Sequence, residues 1–141
     1  MSKKITIAID AMGGDDAPNK TIEGVKLFIE KNISNNDFQI NIFGKENIIE
    51  DKLNEIGVKT DLIKIINSNS IISDKETPLK AIKNAKNTSM WNCIQHQIEG
   101  KSDISLSAGN TGVLFVISKM ILKMMDDVSK PALAGLSLIH I

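Results

Sequence analysis

Arginine and tyrosine are absent from this chain, and cysteine and tryptophan occur once each. Without a guanidinium there is no planar fork for a phosphate or carboxylate. An anion must be held by backbone amides, hydroxyls or the point charge of a lysine. A single cysteine, Cys93, excludes an intrachain disulfide and a multi-cysteine zinc site. An excess of one charge is missing too: 17 lysines stand against 17 acidic residues, for a formal net charge of zero. That balance argues against the basic footprint of a nucleic-acid binder. No apolar run approaches the ~18 residues that span a bilayer. The opening Met1-Ser2-Lys3-Lys4-Ile5-Thr6-Ile7-Ala8-Ile9-Asp10 is too short an apolar stretch for a signal peptide. The chain reads as soluble and cytoplasmic.

What is present is ordinary for a globular domain: 141 residues, 42% apolar and 24% charged. That length allows one domain, or part of a larger one. Such a domain buries roughly 68–70% of its unfolded surface. The 24 isoleucines, 13 asparagines and lysine-only basic set read as the bias of an AT-rich genome.

Apolar runs alternate along the chain with helix-periodic stretches. Ile5 to Ile9, Phe38 to Phe43, Asp61 to Ile66 and Asp103 to Leu106 read as strands, the first apolar enough to be buried on both faces. Helices are expected over Lys20 to Lys31 and over Glu46 to Ile56, the latter stopped by Gly57 in the left-handed conformation. Thr77-Pro78, an N-cap hydroxyl before a proline at N1, starts two helical stretches over about 78–86 and 89–99. A nearly all-buried helix runs on to about Met125, and a fifth strand is expected over Ala132 to Leu136. This order predicts βαβ units, a mainly parallel sheet and helices on both of its faces.

In such sheets ligands bind outside the carboxyl ends of strands, and two loops leave those ends here. The first, Asp10 to Pro18, carries Gly13-Gly14 with Asp10, Asp15 and Asp16. It serves either to bring backbone close to a ligand or simply as a connecting turn, with Asp15 and Asp16 favouring the next helix start. The second, Ser107-Ala108-Gly109-Asn110-Thr111-Gly112, runs from a strand into an apolar helix. Free amides at that helix start make an anion site, to which Ser107, Asn110 and Thr111 add donors; the simpler alternative is an N-cap with packing glycines. Neither G-x-G-x-x-G nor G-x-x-x-x-G-K-[ST] is met, which disfavours a nicotinamide dehydrogenase. Cys93 and Trp91 read as packing residues, and His96 as a helix-surface histidine.

Ile7-Ala8-Ile9-Asp10-Ala11-Met12-Gly13-Gly14-Asp15-Asp16-Ala17-Pro18 resembles the N-terminal signature of bacterial phosphate acyltransferases of the PlsX type. The resemblance continues through Ser73-Asp74, Pro78, Ala81-Ile82, Ser89-Met90 and Ser107 to Gly112, as far as Pro131-Ala132-Leu133. It implies a Rossmann-like three-layer α/β/α fold, like those of isopropylmalate dehydrogenases and phosphotransacetylases, incomplete here at the C-terminus. Residues 1–136 would be the N-terminal part of one acyltransferase domain, inactive alone, and 137–141 a tail foreign to the family. The implied reaction turns acyl-(acyl carrier protein) and inorganic phosphate into acyl phosphate early in phospholipid synthesis, for use by a membrane glycerol-3-phosphate acyltransferase. A homodimer, peripheral association with the inner membrane face and no metal or organic cofactor are implied with it. Asn110 and Thr111 would be catalytic. Asp10, Gly13, Gly14, Asp15, Ser107, Gly109 and Gly112 would bind phosphate or thioester, with Asp10 and Asp15 orienting backbone. An acyl-coenzyme A:phosphate acyltransferase and a non-catalytic carrier-protein-binding module are the alternatives.

Overall fold

The computed structural model describes residues 4–32, 37–58, 61–73, 76–132 and 134. Their elements follow the order β1 (Ile5–Asp10), α1 (Asn19–Lys31), β2 (Phe38–Gly44), α2 (Glu46–Glu55), β3 (Ile63–Asn67), α3 (Pro78–Lys83), α4 (Ser89–Ile98), β4 (Ile104–Ser107) and α5 (Thr111–Leu122). The four strands form one all-parallel sheet in the order β3-β2-β1-β4. The fold is α/β and Rossmann-like.

Register follows from the alternation of side chains along each strand. Ile7 and Ile9 pair with Ile104 and Leu106 on one side and with Ile40 and Ile42 on the other. These apolar positions share the face that α1 and α2 cover, where Ile22, Val25, Ile40, Ile42, Ile49 and Leu53 make the larger core. On the opposite face Ala8 and Phe43 of the sheet pack against Cys93 of α4. A second core of Ala81, Met90, Ile94, Val113, Ile117 and Ile121 joins α3, α4 and α5.

Several elements differ from the sequence expectation, each for a local reason. The strand expected from Asp61 begins at Ile63, since Asp61 and Leu62 form a turn. The stretch expected over 78–86 is helical only to Lys83, because Asn84 leaves helical geometry and its amide bonds Ala81. Thr77 stands at the N-cap, but its side chain makes no capping bond; Thr88 makes one instead, accepting from the Trp91 amide at 3.3 Å. The last helix ends at Leu122 rather than near Met125, where Lys123 turns to φ +63°. Nor is it all buried: Val113, Ile117 and Ile121 make one buried line, while Met120 is 51% exposed. In the expected fifth strand, Ala132 and Ala134 are not extended in a sheet, and Leu133, Gly135 and Leu136 lie outside the described residues, as does the 137–141 tail. No helix among the described residues is long and apolar enough to cross a membrane.

Candidate functional site

The chain leaves β1 toward β2 and β3 on one side, and returns through α3 and α4 to β4 on the other. The strand order therefore reverses between β1 and β4, which opens a crevice at their carboxyl ends. Asp10 and Ser107, the last residues of these strands, are register partners. Both loops singled out in the sequence thus leave the sheet side by side.

Asp10 holds them together. Only 1% exposed, it accepts the Met12 amide on Oδ1 at 3.1 Å and the Ser107 hydroxyl on Oδ2 at 2.7 Å. Ser107 Oγ in turn accepts the Gly109 amide at 3.1 Å. One carboxylate therefore turns its own loop and, across 97 positions, the other. Its charge is met by donors on two sides, as a buried carboxylate requires. Asp15 is exposed and stands outside this network. Asp16 takes φ +60° and accepts from Asn19 Nδ2 at 2.9 Å; neither aspartate falls in the first turn of α1.

The glycines let the two loops touch. A Cβ on Gly13 would sit 2.8 Å from both the Gly109 amide nitrogen and Asp10 Oδ2. Gly14, at φ +94°, would bring one to 2.7 Å from the Ala108 carbonyl oxygen. The close approach foreseen for a ligand is made here by backbone to backbone.

Asn110 is the N-cap of α5. Its Oδ1 accepts the Val113 amide at 3.1 Å, its carbonyl accepts the Leu114 amide at 2.9 Å, and its Nδ2 donates to the Glu76 carbonyl at 3.2 Å. Thr111 and Gly112 occupy the first two helical positions and are exposed, with no intrahelical acceptor for their amides. These two N–H groups, at the positive end of the helix, can take an anion. Glu76 was not apparent from the sequence, since it acts through its carbonyl and any residue type supplies one.

Beneath the loops, Cys93 is buried, its thiol 3.8 Å from the Leu106 carbonyl. Burial, and then the charge of Asp10, pushes its pKa up to about 12. It stays a protonated packing group. His96 is not a surface histidine: it is half-buried and edge-on to Phe43 at 5.1 Å. Burial lowers its pKa, and its buried Nδ1 has no hydrogen-bond partner among the described residues. No cluster of three or more metal-ligating side chains occurs among the described residues.

The family profile described as "Fatty acid synthesis protein" matches residues 5–137. The chain belongs to this family. Its members of the PlsX type include proteins named phosphate acyltransferase, and three show how close the likeness is. One from Pelagibacter ubique is 46% identical over 136 residues, 96% of this chain. One from Caldicellulosiruptor bescii is 39% identical over 90% of the chain, and one from Vibrio campbellii 31% over 94%. The chain spans 37–39% of the length of these relatives. The fatty acid synthesis family is thus an acyltransferase family, and the matched region takes in both loops and the crevice between them.

Proposed function

We propose that the intact protein transfers the acyl group of an acyl-(acyl carrier protein) thioester to inorganic phosphate. A phosphate oxygen attacks the thioester carbonyl carbon, the carbon–oxygen bond forms and the carbon–sulfur bond breaks. The sulfur takes a proton and leaves as the carrier-protein thiol, and acyl phosphate remains. Phosphate is itself the nucleophile, so the protein's work is to hold a dianion in line and to stabilise the developing oxyanion.

The observation that carries this reading is the pair of uncapped amides, Thr111 and Gly112, at the end of the loop whose Ala108 and Gly109 touch the Gly13-Gly14 turn at the strand-order reversal. Preorganised amides suit an arginine-free chain. Asn110 fixes the helix start through its bonds to Val113 and Glu76, and Thr111 offers a hydroxyl. Asp10 orients both loops while Ser107 shields its charge from the incoming anion. The relatives' name, phosphate acyltransferase, agrees with phosphate as acceptor. In this reading the protein works in the cytoplasm as a homodimer at the inner membrane face, and a membrane acyltransferase consumes its product.

Phosphate-dependent release of thiol from acyl-(acyl carrier protein) by the intact protein tests the proposal. Release is expected with carrier-protein donors and much less with acyl-coenzyme A. Equal or faster release from coenzyme A favours the phosphotransacetylase-like alternative. Carrier-protein binding without any release makes the protein a non-catalytic module.

A further inference from the structure

A cavity of about 410 Å³ lies between α1 and the sheet, on the face away from α4. Ile7, Ile9 and Leu106 form its floor, Gly24 and Phe28 its wall, and its upper end opens at Ser107. It is therefore continuous with the crevice described above. Volume and lining both match small-molecule sites, which run to about 300–1,000 Å³ and are mainly apolar with a few polar groups at one end.

Gly24 leaves the cavity wall open among the described residues. It lies inside α1, where glycine is the least favourable residue after proline. Its φ is not positive, and among the described residues a Cβ there would meet nothing within 4 Å, so neither its backbone nor the packing of those residues calls for glycine. Apolar surface on the same face is also left uncovered: Leu106 is 47% exposed and Phe28 41%.

We propose that this cavity takes the alkyl chain of the acyl donor, with the thioester end lying at the Asp10–Ser107 loops. The assignment rests on the acyl-transfer reading above and names where that substrate's tail goes. Thr21 and Phe28 are seven residues apart along α1, about 10 Å at 1.5 Å per residue. With carbon–carbon bonds of about 1.5 Å, an extended chain needs roughly eight carbons to run that far.

The test is calorimetric titration of the intact protein with two homologous series, n-alkyl phosphates and n-alkanols from four to twelve carbons. Affinity is expected to rise about fourfold per methylene in both series and to level off near eight carbons. Gly24→Leu, at a position where an added Cβ meets nothing within 4 Å among the described residues, should flatten that rise, and Leu106→Ser should reduce it. A flat series in the unmodified protein, or a rise that Gly24→Leu leaves intact, overturns the proposal. So does loss of folding in Gly24→Leu together with a flat wild-type series, which would mean that further protein covers the face. The offset between the series reports separately on the anion site. A chain-length rise with no advantage for phosphate keeps the cavity and refutes the phosphate reading of the loops.

Discussion

Two hydrogen bonds to one buried carboxylate bind the loops into a unit, so substitutions at their contact should act on both. Gly13→Ala would place a Cβ 2.8 Å from the Gly109 nitrogen, and Gly14→Val would demand φ +94° of a β-branched residue. Each is expected to lower turnover of the intact protein at least tenfold, by analogy with the loss of fixed donors, whereas Cys93→Ala should leave turnover within about threefold. Steady-state assays of the three variants check this; comparable activity in all of them would contradict a site at the loops. Asn110→Ala removes the cap of Val113 and the tie to Glu76. It should cost about 1 kcal/mol of stability and about 10²-fold in turnover, read by denaturant melts and by the same assay. Cys93 supplies a pH test. The folded thiol titrates near 12 and the unfolded one near 9.0. Above pH 9 the unfolded state releases its proton first, so stability falls as pH rises toward 12. Urea melts at pH 8 and 10.5 should show a larger loss for the wild type than for Cys93→Ala.

Among the elements, periodicity located every helix and strand that the described residues contain, and the disagreements lie at ends and in the expected fifth strand, whose Ala132 and Ala134 are not in the sheet. Thr77-Pro78 correctly begins a helix, but α3 stops after six residues because Ala85 and Thr88 turn the chain into α4. The apolar run from Val113 suggested a nearly all-buried helix, yet α5 packs on α3 and α4 along one line only. The run could not reveal which side would find a partner. Stability should follow that line. Ile117→Ala, at a fully buried position, is expected to cost roughly 2–4 kcal/mol. Met120→Ala, at an exposed one, should stay within about 0.5 kcal/mol. Equal losses in chemical denaturation would contradict the packing of α5.

For the whole molecule, the α/β class was legible because strands and helices alternate, whereas the strand order was not. Nothing local to Asp10 or Ser107 states that they are neighbours; the crossover that sets β4 beside β1 makes them so. The sequence marked both loops as glycine-rich strand exits and left two readings open for each. The geometry combines those readings: the glycines are packing contacts, Asn110 is a cap, and both devices hold the Thr111 and Gly112 amides in place. Whether those amides receive phosphate is the central claim, and amide chemical shifts of isotope-labelled protein titrated with inorganic phosphate address it directly. Saturable shifts at Thr111 and Gly112, with smaller ones at Gly13, Gly14 and Gly109, are predicted. Shifts confined to lysine-rich surface away from β1 and β4, or none at these five residues, would contradict it.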